Sequence, residues 1–249
     1  MIVYPNAKIN LGLNVIKKKA TGYHELSSVF YPVKDLYDIL EILPANDFSF
    51  SNSGIPIPGS NNICINAFEL LKLDFEIGNV TMHLHKKIPI GAGLGGGSAD
   101  GAFMLKALNE LFKLELSILE LERYALQLGA DCPFFIENSP KYITGIGDKM
   151  VNIDLDLTSY KFKFVFPELH ISTNEAYSCI LPKIPNDNLF DLINQPIENW
   201  KKIVKNDFEV IAFEKYPHLK IIKEKLYDDE AIYASMTGSG SVFYGVFSS

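Results

Sequence analysis

The stretch Pro89-Ile90-Gly91-Ala92-Gly93-Leu94-Gly95-Gly96-Gly97-Ser98-Ala99-Asp100 decides how the rest of the chain is read. Five of the seven residues from Gly91 to Gly97 are glycine, so the backbone can turn its amides toward a ligand without side-chain clash. Ser98 reads as the cap of a helix that runs from near Ser98 to about Phe112. Free N–H groups and the positive end of the helix dipole would then complete a phosphate cradle. The bland alternative is a flexible surface loop, but such loops rarely lead straight into a capped helix. Two familiar motifs nearly fit. Gly91, Gly93 and Gly96 satisfy G-x-G-x-x-G, yet a second helix follows the first where a dinucleotide fold needs a strand. A Walker A loop fails because Gly97 stands in the place of its lysine. A cation for the phosphates must come from elsewhere in the chain.

Outward from the loop, apolar residues alternate in short runs. Ile9, Leu11, Leu13 and Val15 share one face, with Lys8, Asn10, Gly12 and Asn14 on the other, the pattern of a half-buried strand. Ile39 to Leu43, Phe48 to Phe50, Val80 to His85 and Phe162 to Phe166 read as further strands. Ser60-Asn61-Asn62 reads as a cap for a helix from Ile63 to about Leu73. Ser117 with Glu120, and Ser172 with Glu175, form S-x-x-E capping boxes, and Gly129 stops the helix that ends at Leu128. Tyr142 to Val151 reads as a link between layers or domains. The chain closes with strand, turn, strand: Ile232 to Met236, Thr237-Gly238-Ser239-Gly240-Ser241, then Val242 to Phe247. Strands and helices mix without strict alternation, so the class is α+β.

The bulk composition narrows the partners. The chain has 249 residues, 47% hydrophobic and 21% charged, which suits one large domain or two small ones. A formal net charge of −7 repels nucleic acid and anionic lipid, so neither is expected as a partner. Arg123 is the single arginine, so phosphate binding falls to backbone amides and lysines. Cys64, Cys132 and Cys179 are odd in number and widely spaced, which points to a reducing compartment. No apolar run reaches the roughly 18 residues of a membrane helix. Met1 to Pro5 has no basic-then-apolar pattern of a secretion signal, so a cytoplasmic location is expected.

Several residues carry candidate chemistry. Lys8 is the candidate cation; the alternative is a solvated edge lysine. Asp131, in Leu128-Gly129-Ala130-Asp131-Cys132-Pro133-Phe134-Phe135, is either a turn residue or a base for an attacking hydroxyl. The amides of Thr237 to Ser241 could add to a phosphate site. In Gly22-Tyr23-His24, an aromatic ring could stack a base and an imidazole read its edge; packing is the plainer reading. His83 and His85 share a strand face but lack a third metal ligand at a suitable spacing.

Three segments in order resemble the GHMP kinases, named for galactokinase, homoserine, mevalonate and phosphomevalonate kinases. Pro5-Asn6-Ala7-Lys8-Ile9-Asn10-Leu11 is similar to their first motif, Pro89 to Ala102 to their second, and Thr237 to Gly245 to their third. The resemblance implies a two-domain α+β fold, with an N-terminal domain like domain 2 of ribosomal protein S5 over 1–150 and a ferredoxin-like C-terminal domain over 151–249. The first would bind ATP and the second contribute to substrate binding. Ala7-Lys8-Ile9-Asn10, Gly22-Tyr23-His24 and the segment around Asp131 look like the members whose acceptor is a cytidine diphosphate derivative. The alternative is a member of mevalonate or homoserine type, whose acceptor has no base to stack. Carried over, Lys8 and Asp131 form the catalytic pair. Asn62, Pro89, Gly91, Gly93, Leu94, Gly95, Gly96, Gly97 and Ser98 bind ATP. Asn10 helps hold the acceptor, Tyr23 and Tyr177 sandwich its cytosine, and His24 hydrogen-bonds it. Mg²⁺ is implied by the chemistry, with unnamed ligands; Asp100 could add one or simply favour the helix start. A monomer or weak homodimer is expected. Many members carry a further helix and strand after the third motif, which this sequence does not.

Overall fold

The computed structural model describes residues 1–59 and 62–248; Ser60 and Asn61 of the expected cap lie outside the described residues. Its contacts group into two compact units, and neither is a single run of chain. The first comprises Met1–Lys8, Pro32–Ile90 and Gly95–Ser139, and the second comprises Ile9–Tyr31, Gly91–Leu94 and Pro140–Ser249. A division at residue 150 therefore does not follow these units, since 9–31, 91–94 and 140–150 group with the C-terminal part. Strand length is the reason. After β1 (Ile2–Val3), the strands β2 (Asn6–Lys18) and β3 (His24–Tyr37) run 13 and 14 residues, and each belongs to both units.

The first unit continues with β4 (Ile39–Pro44), β5 (Ser49–Gly54), α1 (Ile63–Asp74), β6 (Val80–Lys86), α2 (Gly96–Leu111), α3 (Ile118–Leu128) and α4 (Phe134–Glu137). Its sheet has the order β1-β4-β6-β5, antiparallel except for the β5–β6 pair. Val80, Met82 and Leu84 point inward from β6 and are fully buried, as are Phe68 and Leu71 on α1 and Met104, Leu105 and Leu108 on α2. Gly101 explains how closely α1 meets α2: a Cβ there would stand 2.8 Å from Ile63 Cγ1. The Ser117–Glu120 capping box forms in full, and Gly129 caps the end of α3 as expected.

The second unit holds the larger parts of β2 and β3, then β7 (Lys141–Thr144), β8 (Lys149–Asn152), β9 (Tyr160–Val165), α5 (Thr173–Cys179), α6 (Leu189–Ile193), α7 (Ile197–Ile203), α8 (Phe208–Lys215), α9 (His218–Asp228), β10 (Tyr233–Met236) and β11 (Phe243–Ser248). Its sheets have the orders β2-β3-β7-β8 and β10-β11-β9. The segment expected to link layers is instead the β7–β8 hairpin, tightened where Asp148 Oδ1 accepts from Ile146 N–H. Ser172 caps α5, but Glu175 turns its carboxylate to Lys215 rather than closing the second box. Leu13, Val15, Phe208, Leu219, Met236 and Phe243 share one apolar core.

Candidate active site

In the first unit, Lys8 leaves β2 with only 4% of its surface exposed. The strand is thus covered on both faces, and neither the half-buried strand nor the solvated edge lysine holds. Asp131 sits in the turn between α3 and α4, which Cys132 N–H closes by donating to Gly129 O at 3.1 Å. Lys8 Nζ lies 3.6 Å from Asp131 Oδ2, with 35% of the aspartate side chain exposed. Burial lowers the Lys8 pKa, and the Asp131 carboxylate opposes that shift without cancelling it. This ammonium is easier to deprotonate than an ordinary lysine, and its partner is open to a ligand.

Gly95 of the glycine loop packs beside Lys8. Gly95 holds a left-handed conformation at φ 68°, and a Cβ there would stand 3.0 Å from both Lys8 Cγ and Phe135 Cζ. Gly95, not Ser98, is the residue before the first turn of α2; Ser98 lies inside the helix. The reason is conformational, because the chain must pass through the left-handed region to enter the helix and glycine does so most readily. Ser98 makes a hydrogen bond with Cys132, whose thiol burial pushes up to about 12. Gly97 is exposed, and nothing lies within 4 Å of where its Cβ would be. The first amides of α2 precede the helix's own hydrogen-bond ladder, which begins with Ala99 N–H donating to Gly95 O at 2.9 Å, and such amides can hold an anion. Asn62 is the N-cap of α1, its Oδ1 accepting from Cys64 N–H at 2.8 Å. Pro89 is half-buried ahead of the loop.

In the second unit, Asn10 is 2% exposed and donates from Nδ2 to Ser28 Oγ at 2.8 Å and from its backbone N–H to Thr237 Oγ1 at 3.1 Å. Thr237 donates to Gly93 O at 3.2 Å, so the glycine turn after β10 is fastened to the first half of the glycine loop. A Cβ on Gly93 would stand 2.3 Å from Thr237 O, and one on Gly91 would stand 2.6 Å from His170 Cε1. Leu94 is buried. The His24 and Tyr177 rings stack on each other, centroids 5.1 Å apart, while Tyr23 is 63% exposed. In this structure His24 thus lies against Tyr177. Burial lowers the His24 pKa, with Lys18 adding to the effect. His83 and His85 bond to the hydroxyls of Ser51 and Ser53. Among the described residues no group of three His, Cys, Asp or Glu side chains could hold a metal ion.

The model of the GHMP kinase N-terminal domain matches residues 62–138, and that of the GHMP kinase C-terminal domain matches 188–249. The chain belongs to the GHMP kinases. It is 50% identical to the 4-diphosphocytidyl-2-C-methyl-D-erythritol kinase of Azobacteroides pseudotrichonymphae over 99% of this chain and 93% of that one. It is 48% identical to the kinase of the same name from Bacteroides fragilis, over 100% and 92%. A crystal structure of 4-(cytidine 5'-diphospho)-2C-methyl-D-erythritol kinase superposes with a TM-score of 0.84 at 31% identity, over 99% of this chain and 90% of that one. The mevalonate kinase of Methanococcus jannaschii shares the fold at a TM-score of 0.71 and 18% identity, over 99% and 90%. The α+β, two-domain GHMP kinase fold expected from the three motifs is the fold of this chain.

Sequence reasoning passed over three residues near these GHMP motifs. Asn206 donates from Nδ2 to Met236 O and Gly238 O, both at 2.8 Å, and so holds the glycine turn. Asp38 and Lys86 form a buried ion pair. The signal for Lys86 was present, because it falls on the inward phase of β6 after Val80, Met82 and Leu84. A lysine at an inward position needs a buried partner. No local pattern gives away Asp38 or Asn206.

Proposed function

We propose that this chain transfers the γ-phosphoryl group of ATP to a hydroxyl of 4-diphosphocytidyl-2-C-methyl-D-erythritol, giving the 2-phosphate of the non-mevalonate isoprenoid route. The observation that carries this reading is the Lys8–Asp131 pair, 3.6 Å apart, with the Lys8 stem against Gly95. Relatives near half-identical over almost the whole chain bear the name of that kinase. In the reaction an acceptor oxygen bonds to the γ-phosphorus, the bond to the β–γ bridging oxygen breaks, and ADP leaves. Asp131 takes the hydroxyl proton. Lys8, 3.6 Å from Asp131, steadies the developing charge on the acceptor oxygen. A loose phosphoryl-transfer transition state asks mostly for positioning and charge stabilisation.

The residues fit the phosphates of ATP. The space over Gly97 is open, and the first amides of α2 face no carbonyl of their own helix. Residues 1–150 are read as the ATP-binding part, with Asn62 near the adenine, and 151–249 as the part that contributes to the acceptor site. His24, Tyr23 and Tyr177 take the cytosine, which requires the His24–Tyr177 stack to open. Mg²⁺ would supply charge neutralisation on the phosphates, but the described side chains form no three-ligand cage for it. Incubation with ATP, Mg²⁺ and the cytidylyl substrate, followed by mass measurement, tests the reading. One added phosphate is expected; phosphorylation of mevalonate or homoserine in its place would overturn it.

A further inference from the structure

Below the start of α2 lies a second lysine that the chemistry above does not use. Lys86 Nζ donates to Asp38 Oδ2 and to Asp100 Oδ2, each at 2.6 Å. All three side chains are buried. Asp38 Oδ1 also accepts from the backbone N–H of Lys87 at 2.5 Å and of Ile88 at 2.8 Å. The chain leaving β6 toward the glycine loop is thus tied to the corner between β3 and β4. Asp100 lies early in α2 and ties the other end of the loop to the same ammonium. Gly96 sits directly over it, since a Cβ there would stand 3.2 Å from Lys86 Nζ and 2.7 Å from Ile88 Cγ2. The ammonium therefore lies on the side of Gly96 where a Cβ would point, beneath the first turn of the helix read as the anion cradle.

We propose that Lys86, clasped between Asp38 and Asp100 beneath Gly96, is a positioning residue for the nucleotide phosphates. It fixes the first turn of α2 and places a positive charge behind its amides without touching the phosphate. The inference rests on the reading of this loop as an ATP site.

The three groups are unequally served. Asp38 collects three donors, whereas Asp100 has Lys86 and the Asp38 carboxyl beside it, and its Oδ1 has no hydrogen-bond partner among the described residues. Burial pushes the Asp100 carboxyl up to about 8, against the pull of Lys86. Burial also works against the charged form of Lys86, but the Asp100 and Asp38 carboxylates outweigh it and raise its pKa. Among the described residues, the titratable groups facing Asp100 are Lys86 from β6, Asp38 from the β3–β4 corner and Cys64 from α1, whose thiol burial holds well above its ordinary range. The charge of the clasp therefore changes when Asp100 loses its proton. As the pH rises through about 8 it gains a negative charge behind the phosphate amides, where an anion repels the ligand.

The test uses the full chain and two variants, with ATP and Mg²⁺ as the probe in titration calorimetry and steady-state kinetics giving KM for both substrates. Lys86→Met is expected to weaken ATP binding about tenfold or more while the acceptor KM moves less than about twofold. A purely structural lysine would instead lower the melting temperature and raise both KM values together. Asp100→Asn keeps an oxygen for Lys86 but cannot ionise. The ratio of ATP Kd at about pH 9 to that at about pH 7 should exceed one in the parent and fall close to one in this variant. Equal ATP affinity in a folded Lys86→Met, or an unchanged ratio in Asp100→Asn, overturns the inference. If Lys86→Met does not fold, the Asp100→Asn ratio decides. A parent chain that binds no ATP overturns the site reading as well, whereas ATP binding indifferent to both substitutions overturns this inference alone.

Discussion

Two buried lysines of the first unit, Lys8 and Lys86, solve the same problem in opposite ways. Lys8 faces Asp131 at 3.6 Å, across an aspartate that is 35% exposed. Lys86 is gripped by two carboxylates at 2.6 Å, neither of them open to solvent. The electrostatics diverge accordingly. Burial wins at Lys8 and lowers its pKa, whereas the carboxylates win at Lys86 and raise it. A loose pair with an exposed partner can rearrange around a ligand and move a proton. A tight, closed cluster has no such room to rearrange, and serves to hold backbone in place. The sequence, through its family resemblance, singles out Lys8 and passes over Lys86; the number and exposure of their partners are what support different roles for the two.

The largest effect should come from breaking the loose pair. Asp131→Asn is expected to lower kcat about 10²-fold or more while ATP binding stays nearly intact. Near-parental turnover would remove Asp131 from the chemistry. Lys8→Met should lower kcat by about 10²-fold. The parent pH–rate profile should carry an alkaline limb that the variant lacks. The sign follows from the shift: the charged form of Lys8 dominates below its pKa and is lost as pH rises through it. With that pKa lowered by burial, the limb falls below the ordinary lysine range. A limb shared by parent and variant would assign it to another group.

Two glycines of the same loop sharpen the contrast between held and open backbone. Gly95→Ala puts a Cβ at positive φ and 3.0 Å from Lys8 and Phe135, and should cost about 1–2 kcal/mol in thermal unfolding, with loss of activity. Gly97→Ala meets open space inside a helix, and should raise stability by about 0.4–1 kcal/mol. It should nevertheless weaken ATP binding, because the new methyl occupies the space read as the phosphate site. Stability and binding that move together in Gly97→Ala would argue against that reading. The smallest effect is expected far from both lysines: Ser117→Ala removes the α3 cap and should cost about 1 kcal/mol without changing either KM.

Much of this was legible in local pattern. The apolar periods marked most of the elements that carry the GHMP motifs, and the S-x-x-E spacing at Ser117 located a capping box to the residue. Long β3 was passed over, because its run of buried residues lacks a clean period of two. The cap of α2 was misplaced at Ser98, because a hydroxyl is the commoner capping group and nothing in the letters shows that Gly95 turns left-handed. The His24–Tyr177 stack was not foreseen, since ring contacts between residues so far apart in sequence depend on how the chain folds back.

By itself the sequence determined many of the strands, helices and glycine turns, though not β3, the β7–β8 hairpin or the short helices α6 to α8, and through its three ordered motifs it determined the family. Those features depend on neighbours in the chain, on side-chain period and on backbone freedom, all of which the order of residues contains. Tertiary structure alone decided that Lys8 meets Asp131 beside Gly95, that Lys86 is shared by Asp38 and Asp100, and that Asn206 holds the closing turn. These are matters of burial and charge between distant residues. The energy of an ion pair is set by the distance between its groups and by how much water they lose, and neither quantity exists until the chain has folded.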